Sequence, residues 1–141
     1  METNTMKVFI EKVIWHLSKD MKEGTVTFSI NGVSYNAFSF NNDFKAGLVF
    51  DVEFSHISDE ITWEEKFNNN PEKKMCLVRT DEWSYYGYGK IVSIKPVIAD
   101  FGHITLDLGD WTNDERVIGE YIFWKILRLD IWPKNKESNI K

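Results

Sequence analysis

Cysteine is nearly absent. Cys76 stands alone among 141 residues, which excludes an intramolecular disulfide framework and makes a reducing compartment the natural setting. Long apolar runs are missing too. No stretch approaches the roughly eighteen apolar residues of a membrane span, and the N-terminal segment alternates charge with apolar groups instead of forming the core of a secretory signal. These absences predict a soluble, cytoplasmic protein without membrane contact. With no Pro/Gly-rich linker and no internal repeat, a single domain over residues 1–133 is expected, followed by a flexible tail over 134–141.

Catalytic signatures are also lacking. There is no Gly-x-Ser-x-Gly and no P-loop, and Gly87-Tyr88-Gly89 has neither the third glycine nor the following helix of a dinucleotide-binding turn. His16, His56 and His103 lie far apart, none in His-x-x-x-His or Cys-x-x-Cys spacing, so no metal centre is expected. Asp100-Phe101-Gly102 spells a kinase triplet without the rest of the kinase signature, and a hairpin turn with glycine at the bend explains it. Asp100, His103 and Asp107 would form an acid–base cluster only if brought together; along a hairpin such residues more often line a solvated face. Cys76, between Met75 and Leu77 and tied to no basic group, reads as a core thiol. The chain is therefore expected to be no enzyme and to need no cofactor.

Aromatic residues are what the chain has in excess. A 15% share favours strands and packed sheets. Val26, Phe28 and Ile30 alternate with Thr25, Thr27 and Ser29, and the alternation resumes after Asn31-Gly32, a pair that tolerates positive φ at both positions of a type I′ hairpin turn. Further strands are predicted over 8–17, 46–56, 75–79, 88–94, 97–101, 104–108 and 120–131. A helical turn is predicted over 61–67, with Asp59 as its N-cap. The last strand is apolar on both faces, with Tyr121, Phe123, Leu127 and Leu129 on one and Ile122, Trp124 and Ile126 on the other, which predicts a central position. The expected fold is mainly β: a small antiparallel barrel or sandwich, OB-like, with one short helical insertion.

Trp83-Ser84-Tyr85-Tyr86-Gly87-Tyr88-Gly89-Lys90 concentrates four rings in six positions. Alternation puts Trp83 and Tyr85 on one face, Tyr86 and Tyr88 on the other, so one pair can be buried and the other left as a contact patch. Two acidic runs free of Lys and Arg carry a tryptophan each. Asp59, Glu60, Glu64 and Glu65 surround Trp63, and Asp110, Asp114 and Glu115 follow Asp100 and Asp107 around Trp111. Net charge is −5, and the lysine-rich tail contributes +2 of that, so the body stands at −7. Such a body repels phosphate backbones and attracts basic partners. Nucleic acid is thus disfavoured, and a basic protein partner is expected at Asp59, Glu60, Trp63, Glu64, Glu65, Trp83, Tyr86, Tyr88, Asp110, Trp111, Asp114 and Glu115.

Tyr86-Gly87-Tyr88-Gly89-Lys90-Ile91, the Asp100-Phe101-Gly102 hairpin, and Ile118-Gly119-Glu120-Tyr121 leading into Arg128-Leu129-Asp130 together resemble a pattern in the immunity proteins of bacterial polymorphic-toxin systems, over roughly residues 24–132. The resemblance implies a non-enzymatic inhibitor that neutralises a cognate toxin by occluding its active site. The alternative expectation is an OB-type single-stranded nucleic-acid binder, with the rings as a stacking platform and Lys73, Lys74, Arg79, Lys90 and Lys95 nearby.

Overall fold

A computed structural model of the protein describes residues 5–16 and 23–134. The chain runs through β1 (Met6–Trp15), β2 (Glu23–Ile30), β3 (Val33–Phe40), β4 (Val49–Ser58), α1 (Trp63–Asn68), β5 (Cys76–Arg79), β6 (Tyr85–Ser93), β7 (Val97–Asp100), β8 (Thr105–Gly109), a 3-10 turn (Glu115–Val117) and β9 (Tyr121–Pro133). All the strands belong to one sheet, ordered β3-β2-β1-β4-β9-β6-β7-β8, with β5 paired to β6 and an additional pairing between β3 and β9. That last pairing joins β1, β2, β3, β9 and β4 into a five-stranded ring, as expected of an OB-like fold.

The β2–β3 hairpin forms as predicted. Asn31 and Gly32 have φ of 51° and 82°, and Ile30 faces Val33 across the turn. The ring is not wholly antiparallel, however. β3 meets β9 in parallel at a single bridge, Phe38 opposite Asp130. Arg128 covers this seam: its guanidinium binds Asp130 in a fork at 2.7 and 2.9 Å and lies 4.2 Å from the centre of the Phe38 ring. A carboxylate as buried as that of Asp130 is tolerable only with such a partner.

β9 is central, pairing with β4 through its C-terminal half and with β6 through its N-terminal half. Its faces differ from the strict alternation read from the sequence. The register against β4 shifts between Ile57 and Ser58, leaving Leu127 without a partner on that edge. Ile122, Trp124 and Ile126 point inward before this bulge, and Leu129 and Ile131 point inward after it. Leu129 therefore shares the core with Ile126, not a face with Phe123, while Leu127 is exposed.

β6 starts at Tyr85, three residues earlier than predicted, because β5 and β9 flank it from that residue onward. Its inward positions are Tyr85, Gly87, Gly89 and Ile91, all buried, while Tyr86 is exposed and Tyr88 half-buried. The two glycines make room for Phe101. A Cβ on Gly87 would stand 2.8 Å from the Phe101 ring, and one on Gly89 would stand 2.7 Å from both that ring and the Asp100 carbonyl oxygen. The Tyr-Gly-Tyr-Gly and Asp-Phe-Gly motifs are thus two halves of one packing contact.

The helix is capped by Thr62, not Asp59. Thr62 Oγ1 accepts from the Glu65 amide at 3.1 Å, and Glu65 Oε1 accepts from the Thr62 amide at 2.8 Å. A reciprocal box of this kind needs a hydroxyl three residues before an acid, a spacing Asp59 does not have. Asp59 instead accepts from the Glu60 amide and pairs with Lys125 at 3.8 Å. Of the expected C-terminal tail only Lys134 is described, with Nζ 3.2 Å from Glu53; residues 135–141, like the Leu17 end of the first predicted strand, lie outside the described residues.

Tyr85 crosses the interior from β6 to β3. Its hydroxyl donates to the Asn36 carbonyl at 2.7 Å and accepts from the Asn36 amide at 2.8 Å. Burial pushes its phenol up to about 12 from the ordinary 10.0, outweighing the opposing hydrogen bond to Asn36 and the charge of Arg79. A group raised in the folded state contributes stability that is full below the unfolded value and is lost as pH rises through the folded one. The fold should therefore weaken between pH 10 and about 12, by about 1.4 kcal/mol per pH unit. Denaturant melts across that window should fall more steeply in the wild type than in Tyr85→Phe, which keeps the raised phenol of Tyr35; equal slopes would contradict it.

Candidate functional site

The two acidic runs, separated in sequence by most of the β5–β8 region, meet in space. Trp63 on α1 and Trp111, just beyond β8, lie edge to face with ring centres 5.9 Å apart. Phe67, one turn along α1, joins both rings at 4.7 and 6.1 Å. The cluster reaches the core through Trp124 of β9, stacked on Trp111 at 5.8 Å with planes 26° apart. Trp63 and Phe67, four residues apart, stand on one face of the short helix, and the capping box fixes where that helix starts.

The acids around this cluster do not all remain available. Glu65 is committed to the capping box and Asp59 to Lys125. Asp114 caps the 3-10 turn and holds Arg116 in a fork at 2.9 Å through both oxygens, and these hydrogen bonds from Arg116 keep its carboxyl below the usual range. Glu60, Glu64, Asp110 and Glu115 carry no ion pair among the described residues. The face is thus narrower than the sequence runs suggested, but it is still acidic and centred on Trp63, which is 46% exposed.

Behind the rings lies a cavity of about 460 Å³ between the end of β4, α1 and β9. One wall is a fixed polar network. Trp124 Nε1 donates to Ser58 Oγ at 3.0 Å, Ser58 Oγ lies 2.6 Å from His56 Nδ1, and His56 Nε2 lies 2.8 Å from the Asp107 carbonyl oxygen. Lys66 reaches into this space. Its ammonium donates to the Ile61 carbonyl at 3.0 Å and sits 4.8 Å from the Trp111 ring centre and 5.6 Å from that of Trp124. Burial lowers its pKa, and Glu60 and Glu65 act in the opposite direction.

The other predicted contact residues lie elsewhere. Tyr86 and Tyr88 stand on the outer face of β6 against Phe123, with ring centres at 5.4 and 5.6 Å. Their immediate neighbours are lysines, two of them paired in turn with acids, Lys74 with Glu72 at 3.4 Å and Lys125 with Asp59. Lys74 lies over Tyr88 at 4.8 Å, Lys73 and Lys90 lie over Tyr121 at 5.9 and 5.7 Å, and Lys125 is paired across strands with Tyr86. Trp83 belongs to a third place. Its Nε1 donates to Thr25 Oγ1 at 2.9 Å, and its ring meets Phe38 and His16 edge-on.

Sequence reading did not anticipate the group around Thr25. The Thr25 hydroxyl donates to Glu82 at 2.5 Å and lies 2.6 Å from His16 Nε2, with Glu82 itself 3.3 Å from the same nitrogen. Hydroxyl, imidazole and carboxylate are the parts of a nucleophilic triad, but here carboxylate and hydroxyl share one ring nitrogen. A relay needs them on opposite nitrogens, so this group ties β1, β2 and the segment before β6 together and does not activate the hydroxyl. Widely separated positions of ordinary composition gave no signal for it.

Asp100, His103 and Asp107 do not converge. Asp100 and Asp107 each accept from a glycine amide two residues on, Gly102 and Gly109, while His103 Nδ1 lies 2.8 Å from the Tyr35 hydroxyl. Among the described residues no three His, Cys, Asp or Glu side chains form a group able to hold a metal ion. Cys76, half-buried, stands opposite Tyr88 in the β5–β6 pairing. Comparison with family models, with curated proteins and with solved structures finds no match for the chain.

Proposed function

We propose that the protein is a non-enzymatic, cytoplasmic protein-binding module, an inhibitor of the immunity type that neutralises a cognate toxin domain through its acidic, tryptophan-bearing face. One observation carries this reading: the contact of Trp63 with Trp111, which turns two separate acidic runs into one surface. A half-exposed tryptophan that has Glu60 and Glu64 beside it in sequence, and Asp110 beside its partner ring Trp111, has the composition of an interface hot spot, an aromatic anchor with charges that steer a basic partner. A toxin with a basic substrate groove is the partner that such a face complements, and occlusion of that groove requires no chemistry from the inhibitor.

Co-expression with the toxin open reading frame adjacent to its gene should yield a complex that weakens as salt is raised. Trp63→Ala should weaken it by about tenfold or more, the loss expected of a hot-spot ring, with little change in fold stability. A complex indifferent to both salt and Trp63→Ala would contradict the assignment to this face.

A second reading rests on the outer face of β6 and β9. Tyr86, Tyr88, Phe123 and Tyr121 form a patch of rings accompanied by Lys73, Lys74 and Lys90, the pairing of stacking surface and positive charge that single-stranded nucleic-acid binders use. Binding of a labelled oligothymidine at low salt, lost in Tyr88→Ala, would support it. Absence of binding at high micromolar protein eliminates it.

A further inference from the structure

The cavity lined by Trp111 and Trp124 already has a cation in its wall, and that cation belongs to the chain itself. Lys66 Nζ lies over the faces of two stacked indoles and, among the described residues, makes one hydrogen bond, to the Ile61 carbonyl, although an ammonium has three protons to donate. Asp59 and Glu60 line the same cavity, and about 460 Å³ of it stays open with Lys66 in place. The polar groups next to Trp124, His56 and Ser58, are bonded to each other, and His56 also to the Asp107 carbonyl, so they are already engaged. What the space offers an incoming group is therefore two aromatic faces and the carboxylate of Glu60, Asp59 being paired with Lys125, surroundings that select a positive charge over a neutral one.

We infer that this cavity is a receptor for a cationic side chain, lysine or arginine, inserted by the protein partner, and that Lys66 is its resident stand-in. The inference rests on the reading of the acidic face as a protein contact and adds the anchor that such a contact would use. Trp111 and Trp124, which line the cavity, receive the charge of the inserted side chain, and Trp63, in edge contact with Trp111, joins the cavity to the acidic face. Because Lys66 is tethered, it competes at high effective concentration, so a partner must displace its ammonium toward the nearby Glu60 and Glu65 carboxylates. Residence of Lys66 keeps the indoles from being an uncovered apolar patch when no partner is present.

The test uses small probes, so that it is independent of whether the toxin partner has been found. Lys66→Met keeps the stem that packs on the rings and removes the charge. Indole N–H resonances of Trp111 and Trp124 are followed while the methylamides of Nα-acetyl-lysine, Nα-acetyl-arginine and Nα-acetyl-norleucine are added to the full chain. The expected result is saturable binding of the two cationic amides to Lys66→Met, at least tenfold tighter than norleucine and at least tenfold tighter than to the wild type. The ratio of the lysine to the arginine probe tells which side chain the cavity prefers. Norleucine binding as well as lysine, or no binding of any probe to Lys66→Met, overturns the inference. If Lys66→Met does not fold, Lys66→Gln gives the same reading. A complex with the toxin that survives while the probes fail would sink the cavity and spare the proposed function; probes that bind while no basic protein does would do the reverse.

Discussion

Everything in this fold depends on both halves of β9 facing the same core. Its N-terminal half lies beside β6, its C-terminal half beside β4, and a single bridge to β3 closes the ring. A strand with unbroken alternation would have sent Leu129 and Ile131 outward while Ile122, Trp124 and Ile126 pointed in. The bulge at Leu127 inserts one residue and reverses the order, so both halves bury their branched side chains. The same reversal puts Arg128 and Asp130 together at the seam with β3, where their forked pair replaces the ladder that a full strand pairing would have supplied. Trp124, on the other side of the bulge, becomes the floor of the cavity under α1. Ring closure and candidate site therefore descend from one extra residue.

The surface divides by charge in a way that an average conceals. A body at −7 suggests repulsion of anything anionic. Yet the rings of β6 stand among Lys73, Lys74, Lys90 and Lys125, while the two acidic runs are joined by the contact of Trp63 with Trp111. Net charge governs approach at a distance. The local arrangement governs what docks where, and here the two aromatic faces are suited to partners of opposite sign.

Much of the architecture was legible because its signals are local. Asn31-Gly32 specifies its turn by backbone conformation alone, and alternation around it fixes which side of β2 and β3 is buried. The central role of β9 was visible in its two apolar faces. The bulge was not, since an extra residue leaves no mark in composition and is decided by register with β4. The helix start was misplaced because Asp59 is a good cap residue in isolation, and only the Thr62–Glu65 reciprocity distinguishes the true one. Of the candidate site, the acidic tryptophan runs were legible one by one, but their meeting was not. It depends on the β6–β8 extension carrying Trp111 back to α1. The separation of Tyr86 and Tyr88 from those acids, and the engagement of Trp83 with Thr25, are likewise products of topology.

The central claim is that the joined Trp63–Trp111 face, and not the β6 rings, is where a protein partner sits. Hydrogen–deuterium exchange of the chain, free and in complex with the proposed toxin-domain partner, tests this most directly. Slowed exchange confined to α1 with its preceding turn and to the segment between β8 and the 3-10 turn is the predicted outcome. Slowed exchange along the β5–β6 hairpin, with α1 unchanged, would contradict it.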